Sequence, residues 1–278
     1  LEIGRAFRHP VQFQRVECIR VGSYKKSLKD FPEKERDLWR IFDRTPFEDG
    51  IAIERIQDDE VLRVLDYPAY FDLLKRPLPE NRGHILEALA EDGLIRPADS
   101  GGWSISNLGA IQFARRLAEL HPLARKAMRV IQYRGTSRVQ TIKEQVGARA
   151  YANGFEGLIA FINGLLPSNE VIEQALRKTV PVFPELAVRE LVANALIHQD
   201  FFLTGVGPMV EIFADRIEIT NPGAPLVDPQ RFIDTPPKSR NEALASLMRR
   251  IGICEERGSG WDKVVSQTEL FQLPAPLA

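Results

Sequence analysis

Long apolar runs, clustered cysteines and a glycine-lysine phosphate loop are all missing from this chain of 278 residues. No stretch approaches the roughly 20 apolar residues that a membrane-spanning helix needs. The first residues also lack the basic-then-apolar pattern of a secretory signal, so a cytoplasmic protein is expected. Cys18 and Cys254 are the only cysteines. Two thiols so far apart match neither a disulfide framework nor a zinc-binding spacing, which fits a reducing compartment. The absence of any G-x-x-x-x-G-K-[ST] run excludes a P-loop motor. A formal net charge of -1 gives no overall pull toward nucleic acid.

What is present is a composition of 44% hydrophobic and 27% charged residues, enough to bury a substantial core in two globular units rather than one. The charge is uneven along the chain. Nine basic residues lie between Arg115 and Arg149, against only Glu119 and Glu144. A second basic cluster comprises Arg20, Lys25, Lys26 and Lys29. Each cluster reads either as a solvated face or as a set of phosphate contacts.

The pattern divides the chain into segments 1–50, 51–121 and 122–278. In the first, the alternation of Val16 to Val21 predicts a strand, and Pro32, Glu33 and Glu35 open a helix whose apolar stripe is Leu38, Ile41 and Phe42. The second predicts a short helix around Ile85, Leu86 and Leu89, a hairpin containing Trp103 to Ser106, and a helix from Leu108 to Leu120. That order is helical and winged-helix-like. The acidic residues Glu80, Glu87, Glu91 and Asp92 on the would-be reading helix leave structural packing as the alternative to DNA reading. The third segment turns to mixed α/β, with strands at Ala127–Tyr133, near Glu173–Val180, at Met209–Phe213 and at Arg216–Thr220. Helices are predicted at Phe155–Leu166, from Pro184 to His198 and at Asn241–Ile251, with a last one starting at Trp261. The proline-rich run from Pro222 to Pro237 reads as a loop or lid.

One helix carries chemistry. Glu190, Asn194 and His198 stand at i, i+4 and i+8, so they share one face. An amide oxygen at Asn194 can ligate Mg²⁺, and a carboxylate at Glu190 can orient or deprotonate a water. The same spacing also suits an ordinary polar rim. Two later segments add to it: Asn221-Pro222-Gly223 after a strand, where the glycine permits close backbone approach, and Gly258-Ser259-Gly260 ahead of a helix, where freed N–H groups can hold phosphate oxygens.

Together, RELVANALIHQDF, VEIFADRIEITNPG and SRNEALASLMRRIGICEERGSG resemble the carboxy-terminal module of RecG-helicase-related proteins, a divergent branch of the GHKL ATPases. The resemblance implies a GHKL-like α/β sandwich over 122–278 that binds ATP and Mg²⁺. It casts Glu190 as general base and Asn194 as metal ligand, with His198 on the same face. It places Asn221 and Gly223 at the adenine and Gly258, Ser259 and Gly260 at the phosphates. Asn221 stands where the family has aspartate, and the glycine box is short, so binding is expected in preference to fast hydrolysis. The opening residues QFQRVECIRVGSYKKSLKDFPEKERDLWRIF resemble the end of a Schlafen AlbA-like domain, implying that most of that domain is missing, that Arg20, Lys25, Lys26 and Lys29 meet nucleic acid, DNA rather than RNA, and that the protein is a transcriptional regulator, as a homo-oligomer or otherwise. The overall expectation is an α/β (α+β) protein. The alternative is a nucleic-acid-binding module or dimerisation scaffold with a degenerate nucleotide site.

Overall fold

A computed structural model describes residues 9–99, 101–121, 123–173, 176–232, 238–254 and 260–278. The chain divides into two compact units, Leu1–Gly50 and Ile51–Ala278.

Unit 1 is an antiparallel meander of β1 (Gln12–Phe13), β2 (Val16–Val21) and β3 (Tyr24–Ser27), followed by α1 (Pro32–Arg44). Pro32 sits in the first helical turn with Glu33 and Glu35, where the missing N–H costs nothing and negative charge meets the positive helix end. Phe42 of the expected stripe is buried and packs edge-on against Trp39 at 5.8 Å. Ile41 instead is 61% exposed, because the helix turns it about 100° away from Phe42.

Unit 2 begins with β4 (Ile51–Ile56), α2 (Asp58–Val64), α3 (Tyr67–Leu73), α4 (Arg82–Glu91), β5 (Ile95–Pro97), β6 (Trp103–Ser106) and α5 (Asn107–Phe113). The Asn81 side chain accepts from the Gly83 N–H at 2.7 Å to start α4, whose Ile85, Leu86 and Leu89 are buried. The hairpin gains an unanticipated third strand, β4, in the order β4-β6-β5. Helix α5 is capped by Ser106, which accepts from the Gly109 N–H at 3.0 Å, and is buried on every side. It stops at Phe113 rather than Leu120 because Ala114 turns extended and bridges to Leu65.

The chain continues through β7 (Arg129–Tyr133), β8 (Thr141–Val146), α6 (Tyr151–Asn163), β9 (Ser168–Glu173), β10 (Leu176–Pro181), α7 (Glu185–Ile197), β11 (Met209–Ile212), β12 (Ile217–Thr220), α8 (Glu242–Arg250) and α9 (Gly260–Leu270). A four-stranded sheet runs β12-β11-β7-β8, with β11 parallel to β7 and the other pairs antiparallel. The parallel pair demands a long crossover, which α6, the β9-β10 hairpin and α7 supply. One face of the sheet meets α6, where Gln132 donates to the Leu165 carbonyl at 3.2 Å and Lys143 lies over Phe161. The other face carries Ile131, Tyr133 and Phe213, with the two rings stacked at 4.9 Å.

The early and late parts of unit 2 are stitched together. Arg250 at the end of α8 grips Asp92 beyond α4 with two bonds of 2.8 and 3.0 Å, and the Tyr70 hydroxyl donates to the same carboxylate at 2.7 Å. Burial works against ionising Asp92, but the bonds from Arg250 and Tyr70 outweigh it and hold the carboxyl below its usual range. Gln112 of α5 donates to the Leu244 carbonyl of α8.

Much of the basic run from Arg115 to Arg149 is matched by partners within the chain, mostly in pairs at the surface. Arg115 pairs with Asp66, Arg116 with Glu119 and Arg129 with Glu144. Arg138 reaches Glu211 and Glu218, and Lys126 donates to the Leu203 carbonyl. Among the described residues no helix is long and apolar enough to cross a membrane.

Candidate nucleotide site

Helix α7 starts after Pro184, which stands at its N-cap, and packs on Val188, Val192, Leu196 and Ile197. Its polar face holds Glu190, buried at 8% exposure, and the half-buried Asn194 and His198.

Glu190 faces the first residue of α9. A Cβ added at Gly260 would overlap the Glu190 carboxylate, so any larger residue there requires that side chain to move. The carboxylate thereby sits by the positive amino end of α9. Cys254 is also close: burial first, and the Glu190 charge second, push its thiol up to about 11.

The far end of α7 meets the Asn221-Pro222-Gly223 bend. The Asp200 N–H donates to the Pro222 carbonyl at 2.7 Å. Gly223 has φ of +114°, and a side chain there would run into Asp200 and the Arg240 guanidinium. Burial, and then the Arg240 charge, lower the His198 pKa, so its imidazole is neutral at pH 7. Asn194, His198 and Asn221 are half-buried, and none of their side chains hydrogen-bonds to another described residue.

Of the expected site residues, Glu190 and Gly260 therefore meet at mid-helix, while His198 and Gly223 flank Arg240 at its end. Gly258 and Ser259 lie outside the described residues, as do 233–237 of the expected lid. Arg240, read from sequence as the end of the loop, and Asn241, read as the start of a helix, join α7 to the bend. Nothing local in the sequence points from these two residues to the end of a second helix. A Mg²⁺ held by Asn194 and phosphate oxygens would need no cluster of protein carboxylates, and among the described residues there is no group of three or more His, Cys, Asp or Glu that could hold a metal. The donor set therefore fits a magnesium carried in with a nucleotide better than a resident ion.

A cavity of about 280 Å³ lies elsewhere, between β7, β8 and α6, lined by Met128, Tyr151, Phe155 and Phe161 among others. None of the expected site residues lines it.

The expected nucleic-acid residues belong to unit 1. Arg20 and Lys25 stand opposite each other across β2 and β3, and Lys25 lies 4.0 Å above the Phe13 ring. Lys26 pairs with Ile19 and so points to the other face, and Lys29 is in the turn that follows. All four are exposed.

Comparison with known proteins bears on both fold and family. In fold, the chain is similar to the DIP2311 protein from Corynebacterium diphtheriae, with a TM-score of 0.62 and 19% identity over 95% of this chain and 50% of that one. It thus spans half the length of that protein, and at this identity the likeness speaks to fold alone. None of the curated proteins matches. Residues 205–278 match the family described as "Putative ATP-dependent DNA helicase recG C-terminal", a stretch that includes the bend, Arg240, Asn241 and Gly260 but begins after α7. The carboxy-terminal part of the chain, residues 205–278, is thus similar to the RecG-related C-terminal family.

Proposed function

We propose that unit 2 binds ATP with Mg²⁺ beside α7, and that occupancy of this site regulates nucleic-acid binding, as in a transcriptional regulator. The observation that carries the reading is the trio Asn194, His198 and Asn221. They are half-buried polar side chains with no described partner, gathered on one helix and the bend tied to its end. Their polar atoms are not among those sealed from solvent, so a ligand could take the place of water at all three. The ATPase-like family supports nucleotide and Mg²⁺ use in general terms. In this reading the Asn194 amide oxygen meets Mg²⁺, which supplies charge neutralisation at the phosphates. The Asn221 side-chain oxygen accepts from the adenine amino group, and the neutral His198 offers one donor and one acceptor. The backbone at Gly258, Ser259 and Gly260 receives the phosphates. Glu190 is the candidate base, and its enclosure against Gly260 favours binding over rapid hydrolysis. ATP-Mg²⁺ at about 100-fold above its dissociation constant should raise unfolding stability by roughly 2.7 kcal/mol. Asn194→Ala should remove that shift while leaving the ligand-free urea midpoint in place. No shift in the wild type up to millimolar ATP would end the proposal.

A second reading concerns unit 1, where Arg20 and Lys25 stand opposite each other on neighbouring strands and Lys25 lies over the Phe13 ring. Such a pairing suits a nucleic-acid backbone and a base. Duplex binding titrated at two salt concentrations should then weaken steeply with salt. An Arg20→Ala, Lys25→Ala variant should flatten the slope by about two phosphate contacts. An unchanged slope counts against these residues.

A further inference from the structure

Arg240 and Asn241 have no part in the nucleotide reading so far, yet they occupy an unusual place. The last four carbonyls of a helix lack partners within it and need donors from elsewhere. At the end of α7, the Asn241 side-chain amide donates to the Ile197 carbonyl at 2.7 Å and to the Gln199 carbonyl at 2.9 Å. The Arg240 Nη1 donates to the intervening His198 carbonyl at 3.4 Å. Asn241 at the N-cap of α8 and Arg240 just before it thus hold three successive carbonyls, those of the last residue of α7 and of the two residues that follow. The second arm of the guanidinium, Nη2, donates at 3.0 Å to the Ala224 carbonyl, just past the bend. The fork therefore spans α7 and the bend at once, which a single ammonium cannot do. Its positive charge also complements the negative end of α7. Asn241 is 2% exposed and commits its amide N–H groups to this contact, so it is not itself available to a ligand.

We infer that Arg240 and Asn241 are positioning residues of the nucleotide site. They fix the bend, and with it Asn221, relative to His198 and Asn194, so that the base and phosphate ends of the site keep their spacing. The functional consequence rests on the nucleotide reading; the clamp itself does not.

Calorimetric titration with ATP-Mg²⁺ and amide hydrogen exchange on the full chain test both parts. Relative to wild type, Arg240→Ala should bind ATP-Mg²⁺ on the order of tenfold more weakly, the effect of losing charged hydrogen bonds that hold the site. Arg240→Lys should recover part of the loss, since an ammonium reaches one of the two carbonyls. A residue that only stabilised the fold would lower the urea midpoint and leave the affinity of the folded protein alone. Equal affinity in wild type and Arg240→Ala overturns the inference. If wild type binds no ATP, the nucleotide reading fails by itself, and the clamp is judged on the Asp200 N–H, which bonds Pro222. Exchange there should be faster in Arg240→Ala, and an unchanged rate overturns the clamp. Should Arg240→Ala not fold, Arg240→Gln, which keeps donors without charge, is read by the same two measurements.

Discussion

Arg138→Ala should substantially lower the unfolding free energy of the protein at pH 7, because it leaves the buried Glu211 carboxylate without its charged partner. Its partner Glu211 is 1% exposed. It is held by Arg138 through bonds of 2.6 and 2.7 Å and by the Tyr133 hydroxyl at 3.0 Å. The Arg138 bonds keep the Glu211 carboxyl below its usual range against the opposing effect of burial, with Tyr133 helping. A group whose folded pKa is depressed contributes stability that is present above its unfolded pKa and lost as pH falls through the folded value. Without Arg138, burial dominates and Glu211 takes up its proton at higher pH than before. The deficit of Arg138→Ala should therefore be largest at neutral pH and shrink as pH is lowered toward 4. Adding Glu211→Gln to Arg138→Ala should restore most of the loss at pH 7, since no unpaired charge remains. Urea unfolding at pH 7 and pH 5 measures both effects. A deficit independent of pH, with no recovery in the double variant, would mean that the pair does not hold this face of the sheet.

Elements with a clear period were legible in the sequence, and those without one were not. Helix α8 buries one apolar stripe, α7 is apolar around most of its circumference, and the β11-β12 hairpin reverses at Ala214-Asp215. Strand β8 was missed because all six of its residues are exposed. An edge strand of that kind is held by backbone pairing to β7 and shows no alternation to read. The stretch near Glu173–Val180 was expected as one strand and is two, β9 and β10, with Glu173 opposite Leu176. Gln174 and Ala175 between them include none of the residues that usually flag a reversal. For the site, spacing along α7 placed Glu190, Asn194 and His198 on one face, since that follows from helical geometry alone. What approaches that face does not follow from it. The contact of Gly260 with Glu190 and the reach of Arg240 to the end of α7 join residues distant in the chain, through a backbone approach and a carbonyl cap that no local pattern encodes.

The meeting of α7 and α9 gives the second large effect. Gly260→Ala places a methyl group where the Glu190 carboxylate now lies. In an open setting the carboxylate would swing aside and alanine would gain up to about 1 kcal/mol from its better helix propensity. Here Glu190 is enclosed, and the Cβ would crowd its Cδ as well as its oxygen. Overpacking should win, so the substitution alone is expected to cost about 1–3 kcal/mol. In a Glu190→Ala background the space is open, and the same change should be neutral or stabilising. The two substitutions must then be strongly non-additive, with a coupling energy of about 1–3 kcal/mol in a double-mutant cycle on urea unfolding. Additive costs would show that Glu190 points away from α9, and a Glu190 so placed would again be free to face the ligand as a base. Strong coupling would instead tie the carboxylate to the start of α9, where it anchors the approach of the glycine segment to α7 and is poorly disposed to activate water.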